Sequence, residues 1–217
     1  MNTELWITQI ILDTSNRAVL GDLRDVVRLH RRVMSLFPDG LGPDARRQAA
    51  ALFRLEEQTR GSAILVQSAV RPALERLSAS YGTARCKSLT PLLDGVREGV
   101  NIHYRIIANA TRKLGMNTTA GRPKQVVPLH GAEADEWWQR QADAAGLILR
   151  SSHSRQLDSG IGERGDDSRV THARTQFDGT ATVSEPKALL HRIHAGIGRG
   201  KSFGCGLLTI APAAPAS

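Results

Sequence analysis

Residues 194–208 read His-Ala-Gly-Ile-Gly-Arg-Gly-Lys-Ser-Phe-Gly-Cys-Gly-Leu-Leu, with five glycines between Gly196 and Gly206. Backbone this rich in glycine can enter left-handed conformations and approach another group closely, since no Cβ stands in the way. One reading is a tight connection between a helix and a strand. The other is an anion cradle, in which successive N–H groups converge on an oxygen while Arg199 and Lys201 add full charges. Two glycine loops with known ligands do not fit. A P-loop would need its first glycine at Ala195, a strand before it and a long helix after it. Here Glu185–His194 reads as a helix and Phe203–Ile210 as a strand. The dinucleotide fingerprint fails as well, because no βαβ unit follows.

Charge points the same way as the loop. There are 29 Lys+Arg against 21 Asp+Glu, a net charge of +8, and 24 of the 29 are arginine. A GC-rich genome accounts for arginine over lysine but not for the excess of cations, so an acidic partner is expected, nucleic acid first. Cys86 and Cys205 lie far apart and outside any C-x-x-C arrangement, which argues against a zinc site or disulfide framework. No metal-ligand cluster is apparent, and no cofactor is expected. The start of the chain lacks a cationic signal region and no apolar run reaches membrane-spanning length, so a cytoplasmic protein without membrane contact is expected.

Along the chain, Glu4–Leu12 predicts a strand. Asp22 can cap a helix running to about Phe37, with Leu23, Val26, His30, Val33 and Phe37 in one stripe. Ala51–Glu56 and Ala63–Ser68 suggest a hairpin, and Pro72 opens a short helix to about Tyr81. That order lacks one strand of a ferredoxin-like βαββαβ unit. Val100–Ala108 either supplies it or opens a second unit. Gln125–Leu129 is extended, and Glu133–Ala145 is a helix whose Trp137 and Trp138 suit packing. Leu147–Arg150 and Arg174–Val183 read as strands flanking a polar stretch, Ser151–Arg169. The expected fold is α+β, two tandem ferredoxin-like modules over residues 1–95 and 96–217.

His30 has two readings. Its place in the stripe suits a histidine at the edge of a core. Its chemistry suits a general acid, since imidazole titrates near neutral pH, and Arg28, Arg31 and Arg32 would attract a phosphodiester.

Several segments together resemble a known family. These are Asp25–Phe37 followed by Pro38, Leu52-Phe53-Arg54-Leu55-Glu56, Val66-Gln67-Ser68, His103–Lys113, Phe177-Asp178-Gly179, and the glycine run through Leu208 to Pro212. In that order they are similar to the CasE-type CRISPR repeat endoribonucleases of the Cascade complex. The sequence departs from the family pattern at Val27, where relatives carry tyrosine, and at Ala110, where they carry proline.

The resemblance implies RNA cleavage without a metal. A ribose 2′-hydroxyl attacks the adjacent phosphorus, His30 protonates the leaving oxygen, and Lys201 stabilises the phosphorane. It implies repeat RNA as substrate, held at the stem-loop, and other Cascade subunits as partners. The candidate RNA-binding residues are Arg28, Arg31, Arg105, Asn109, Arg112, Lys113, Arg122, Lys124, Gly196, Gly198, Arg199, Gly200 and Ser202. The alternative is a non-catalytic RNA-binding subunit of the same fold.

Overall fold

The computed structural model describes residues 4–42, 44–58, 61–114, 126–163 and 169–213. Two four-stranded antiparallel sheets dominate it. The first is ordered β2-β3-β1-β4, from β1 (Trp6–Leu12), β2 (Leu52–Gln58), β3 (Gly61–Ser68) and β4 (Gly82–Ser88). The second is ordered β10-β5-β9-β8, from β5 (Asn101–Ala108), β8 (Leu147–Glu163), β9 (Arg169–Val183) and β10 (Thr209–Pro212). A short ribbon of β6 (Thr111–Lys113) and β7 (Val126–Pro128) lies beside the second sheet in sequence. Each sheet places its first strand between its third and fourth, the order of a ferredoxin-like unit. The expected tandem fold is therefore observed.

Alternation along the strands dictates which face each sheet buries. In β1, Thr8, Ile10 and Leu12 point inward and Gln9 and Ile11 outward. Ile10 joins Val19, Leu29, Val33, Phe37, Phe53, Ile64 and Val66 in the first core. The second core gathers Tyr104, Ile106, Phe177, Leu189 and Ile193 around Trp138, which is fully buried, with Trp137 beside it. Trp138 donates its indole N–H to the Tyr104 hydroxyl, 3.2 Å away. Burying the indole thus leaves no polar atom unpaired.

Four elements differ from expectation. The first helix is two: α1 (Arg17–Arg24) and α2 (Val26–Met34), broken at Asp25. Asp25, not Asp22, caps α2, accepting from the Val27 and Arg28 N–H groups at 2.7 and 3.1 Å. Asp22 lies buried in α1, held by Arg28, Arg32 and the Tyr81 hydroxyl. The helix expected from Pro72 is only a 3-10 turn, Leu74–Arg76, and β4 follows it. β4 closes the first unit, so Val100–Ala108 opens the second. The polar stretch after Leu149 is strand as well: β8 and β9 pair from Leu147 and Val183 out to Glu163 and Arg169. The last strand starts at Thr209 rather than Phe203, because Lys201–Phe203 forms a 3-10 turn.

The remaining helices are α3 (Ala45–Gln48), α4 (Thr90–Leu93), α5 (Ala132–Asp143) and α6 (Pro186–Ala195). Side chains reach across to tie the units together, Arg54 and Gln67 among them. Arg54 of β2 donates to the Arg105 and Leu207 carbonyls at 3.1 and 3.3 Å and to the Thr209 hydroxyl at 3.1 Å. Gln67 of β3 donates to the Ile193 carbonyl at 2.7 Å.

Candidate functional site

The glycine-rich segment leaves the C-terminus of α6 and returns to the sheet as β10. Gly196, Gly198, Gly200, Gly204 and Gly206 all have φ between +73° and +87°, the region where a side chain is strained. Packing explains two of them further. A Cβ on Gly206 would stand 2.5 Å from the Ile197 carbonyl oxygen, and one on Gly196 would stand 2.8 Å from Leu52. Much of the loop's backbone is spent internally. Gly196 N–H donates to Arg192 O, Ile197 N–H to Gly206 O, Cys205 N–H to Gly200 O and Gly206 N–H to Ile107 O. Gly196 is buried with its donor committed, so its place is in the turn's packing rather than against a phosphate. The connection reading and the cation reading of this loop thus divide it between them. The buried flanks shape the turn, and its outer part presents Gly198 and Arg199 to solvent, with Gly200, Lys201 and Ser202 half-buried.

That outer part meets α2. The turn Lys201–Phe203 packs against both α2 and β2. His30 lies on this side of α2, half-buried, its ring stacked on Phe53 of β2 with centroids 6.2 Å apart. Phe53 in turn lies against Gly204, where a Cβ would meet the ring at 3.4 Å. The two residues expected to do chemistry, His30 and Lys201, therefore come from opposite units onto neighbouring elements, with Phe53 as the floor.

His30 Nδ1 is sealed from solvent and has no hydrogen-bond partner among the described residues. Nε2 is left as the nitrogen that can reach a ligand. Protonating the ring would bury an unpaired N–H, and burial accordingly holds the His30 pKa below its ordinary 6.5, with the cations Arg46 and Arg31 adding to the effect. Lys201 is likewise held below its usual range, by burial first and then by Arg46 and Arg192. Arg46, on α3, was not among the sequence candidates; the only signal was an Arg-Arg pair shortly before the Leu52–Glu56 strand. Cys205 beneath the turn is fully buried, its thiol pushed up to about 12 by burial. It offers no thiolate at neutral pH.

The other candidates divide. Arg31 is exposed on α2 beside His30. Arg28 is half-exposed but ion-paired with Asp22 at 3.4 Å. Lys113, Gly198 and Arg199 line one small cavity of about 200 Å³ beside Trp137. Arg112 meets Glu133 at 3.2 Å on the surface. Arg105 is paired with Asp178 and lies 4.0 Å from Glu56. Asn109 is buried; it bridges to Arg199 and shares a 2.9 Å hydrogen bond with His172, whose ring stacks on Phe203 at 4.5 Å. His172 and Phe203 also escaped the sequence reading, since nothing in their local pattern marks them. Arg122 and Lys124 lie outside the described residues.

Val27 fills the position where tyrosine was expected. It is buried under β8, where a Cβ on Gly162 would stand 2.9 Å from its methyl and 2.7 Å from Asp25 Oδ1. Among the described residues no group of three His, Cys, Asp or Glu could hold a metal ion, and no helix is long and apolar enough to cross a membrane. A roomier cavity, about 680 Å³, lies elsewhere, between the first sheet and β10, and is mainly aliphatic.

Residues 5–212 match a family described as CRISPR associated protein. The chain is 31% identical to the CRISPR system Cascade subunit CasE of Escherichia coli strain K12, over 87% of its length and 93% of that protein's. It is 26% identical to the CRISPR-associated endoribonuclease Cse3 of Thermus thermophilus, over 96% of its length and all of that protein's. In fold it is similar to Thermus thermophilus Cse3 bound to an RNA representing a pre-cleavage complex. That alignment has a TM-score of 0.78 at 24% identity and covers 96% of this chain and 100% of the other. With a family match from end to end, a fold to go with it and the histidine and cationic turn adjacent, the chain belongs to the CasE-type CRISPR-associated endoribonuclease family.

Proposed function

We propose that this protein cuts precursor CRISPR RNA beside the repeat stem-loop, needs no metal ion to do so, and keeps its product as a subunit of a Cascade assembly in the cytoplasm. The observation that carries the reading is the meeting of α2 with the turn Lys201–Phe203, which sets an imidazole with one open nitrogen beside unneutralised cations. We place the boundary between the two units at residues 95 and 96, so that each contributes one side of the site.

In the reaction, the ribose 2′-hydroxyl gives up its proton to solvent water as its oxygen forms a bond to phosphorus and the bond to the 5′-oxygen breaks, leaving a 2′,3′-cyclic phosphate. His30 Nε2 gives its proton to the departing 5′-oxygen. In the free protein, burial and Arg46 disfavour that proton. A bound phosphodiester reverses the balance, because its negative charge offsets the neighbouring cations and raises the imidazole pKa. The acid is thus made available where substrate sits. Lys201 faces the equatorial oxygens, where charge grows in the phosphorane and a fixed cation is worth most. Arg31, Lys113 and Arg199 hold the RNA by phosphate contact, as expected for a structured RNA read mainly by shape.

Val27 is the observation behind a second reading, an RNA-binding subunit that does not cut. Incubating repeat RNA with the protein in EDTA separates the two. Cleavage by wild type, loss of at least about 100-fold in His30→Ala, and a larger effect of Lys201→Ala on rate than on affinity are expected. Tight binding with no cut strand from the wild-type protein would establish the second reading instead.

A further inference from the structure

Eight arginines of this chain, Arg28, Arg32, Arg47, Arg54, Arg76, Arg105, Arg112 and Arg140, lie within ion-pair distance of a carboxylate. Arg46 is half-buried, yet, like Arg174 and Arg192, it has no carboxylate within ion-pair distance among the described residues; of these three it is the one whose charge bears on both His30 and Lys201. The adjacent acid, Asp44, is taken by Arg47 at 3.6 Å. The one hydrogen bond that Arg46 makes is a long one, from Nη1 to the Ala51 carbonyl at 3.4 Å. A guanidinium removed from water without a counter-charge is costly, and its remaining donors are a planar fork suited to phosphate oxygens.

Its surroundings say where those donors are useful. Ala51 is followed directly by β2, whose Phe53 carries the His30 ring on one side and Gly204 of the turn on the other. The charge of Arg46 is the strongest ionic influence on both His30 and Lys201, which stand on different elements. His30 and two cations, from α2, α3 and the turn after α6, thus share one neighbourhood; among the described residues no carboxylate is in ion-pair contact with any of the three, and Asp44 acts on Arg46 only at longer range.

We propose that Arg46 is a third catalytic cation of this site, its guanidinium contacting a non-bridging oxygen of the scissile phosphodiester. The proposal rests on the cleavage reading above. His30 serves the leaving oxygen, and Lys201 and Arg46 approach the phosphoryl group from the two structural units. Closing the site electrostatically then requires the RNA itself, which supplies the missing negative charge.

The test compares Arg46→Gln, Arg46→Lys and Arg140→Gln with wild type in single-turnover cleavage of repeat RNA. Affinity is measured on the same RNA with a 2′-deoxy nucleotide at the cut site, and each variant is checked by thermal melting. Arg46→Gln should lose about 100-fold in rate and at least about tenfold less in affinity. Arg46→Lys, which keeps the charge and most of the buried stem, should recover at least about tenfold of that loss. Arg140→Gln, an exposed position on α5 paired with Glu136 alone, should match wild type. A wild-type rate in Arg46→Gln, or equal losses of rate and affinity, would overturn the proposal. So would a slow Arg46→Lys melting at the wild-type temperature. If wild type binds without cutting, the cleavage reading fails on its own. Arg46 is then judged by binding, and an unchanged affinity in Arg46→Gln overturns its contact with phosphate.

Discussion

At His30, burial and neighbouring charge act in the same direction, and both disfavour the imidazolium in the free protein. The consequence for stability has a definite sign. A histidine whose folded pKa lies below its unfolded value of 6.5 binds fewer protons when folded. Its contribution is complete above pH 6.5 and is lost as pH falls through the folded value. His30→Gln should therefore narrow the gap in melting temperature between pH 7 and pH 5, a comparison made by calorimetry without RNA. An unchanged gap would show that the acid sensitivity resides elsewhere. At this scale the sequence was informative where chemistry and periodicity coincide. His30 stood in a helical stripe among arginines, and Lys201 stood among glycines. Arg46 and His172 could not be read in this way, because each bears on residues distant in sequence, Arg46 on Lys201 and His172 on Asn109.

The elements that escaped the sequence share a physical cause. β4 spells Gly-Thr-Ala-Arg-Cys-Lys-Ser, with little of the β-branched alternation that marks a strand, because it is an edge strand with one face half-covered and the other exposed. From Ser152 to Gln156, β8 is polar because consecutive residues are exposed and backbone pairing with β9 holds them, whereas Gly160 and Gly162 further on are buried against α2. The break between α1 and α2 was hidden by a stripe that continues across it, with Asp25 re-capping the chain in mid-pattern. The glycine turn was the opposite case, conspicuous in sequence yet bound to the fold more than to a ligand along its buried flanks. Gly206→Ala should accordingly lose about 2 kcal/mol of stability or more, since its Cβ meets the Ile197 carbonyl at 2.5 Å. Gly42→Ala, at φ +62° in open space, should cost only about 1 kcal/mol. Urea titration of the two variants measures the difference.

For the whole molecule, Arg54 is the side chain that fixes one unit against the other. Its side chain is 3% exposed and paired with Glu56 at 2.5 Å, while its other nitrogen reaches three acceptors in the second unit. Removing it leaves a part-buried carboxylate and orphaned carbonyls behind. Arg54→Met should cost about 3 kcal/mol, and Arg54→Met with Glu56→Met should recover much of that, as buried pairs replaced by apolar groups do. Chemical denaturation of both variants checks the ordering. The tandem fold itself was legible from strand order, glycine placement and helix patterning, whereas the manner in which the units meet was not. Arg54 reads as an ordinary polar residue in an alternating strand until its partners at residues 105, 207 and 209 are known.

The last-built part of the site has a consequence for synthesis. His30 sits within the first forty residues, but the turn that faces it and the strand that seats that turn span residues 196–212. A ribosome that has released only the first unit carries His30, the proton donor of the proposed reaction, with the turn that faces it still unmade. On that reading competence to cut RNA waits until residues 196–212 have been made and folded, and a growing chain leaves nearby transcripts uncut until then.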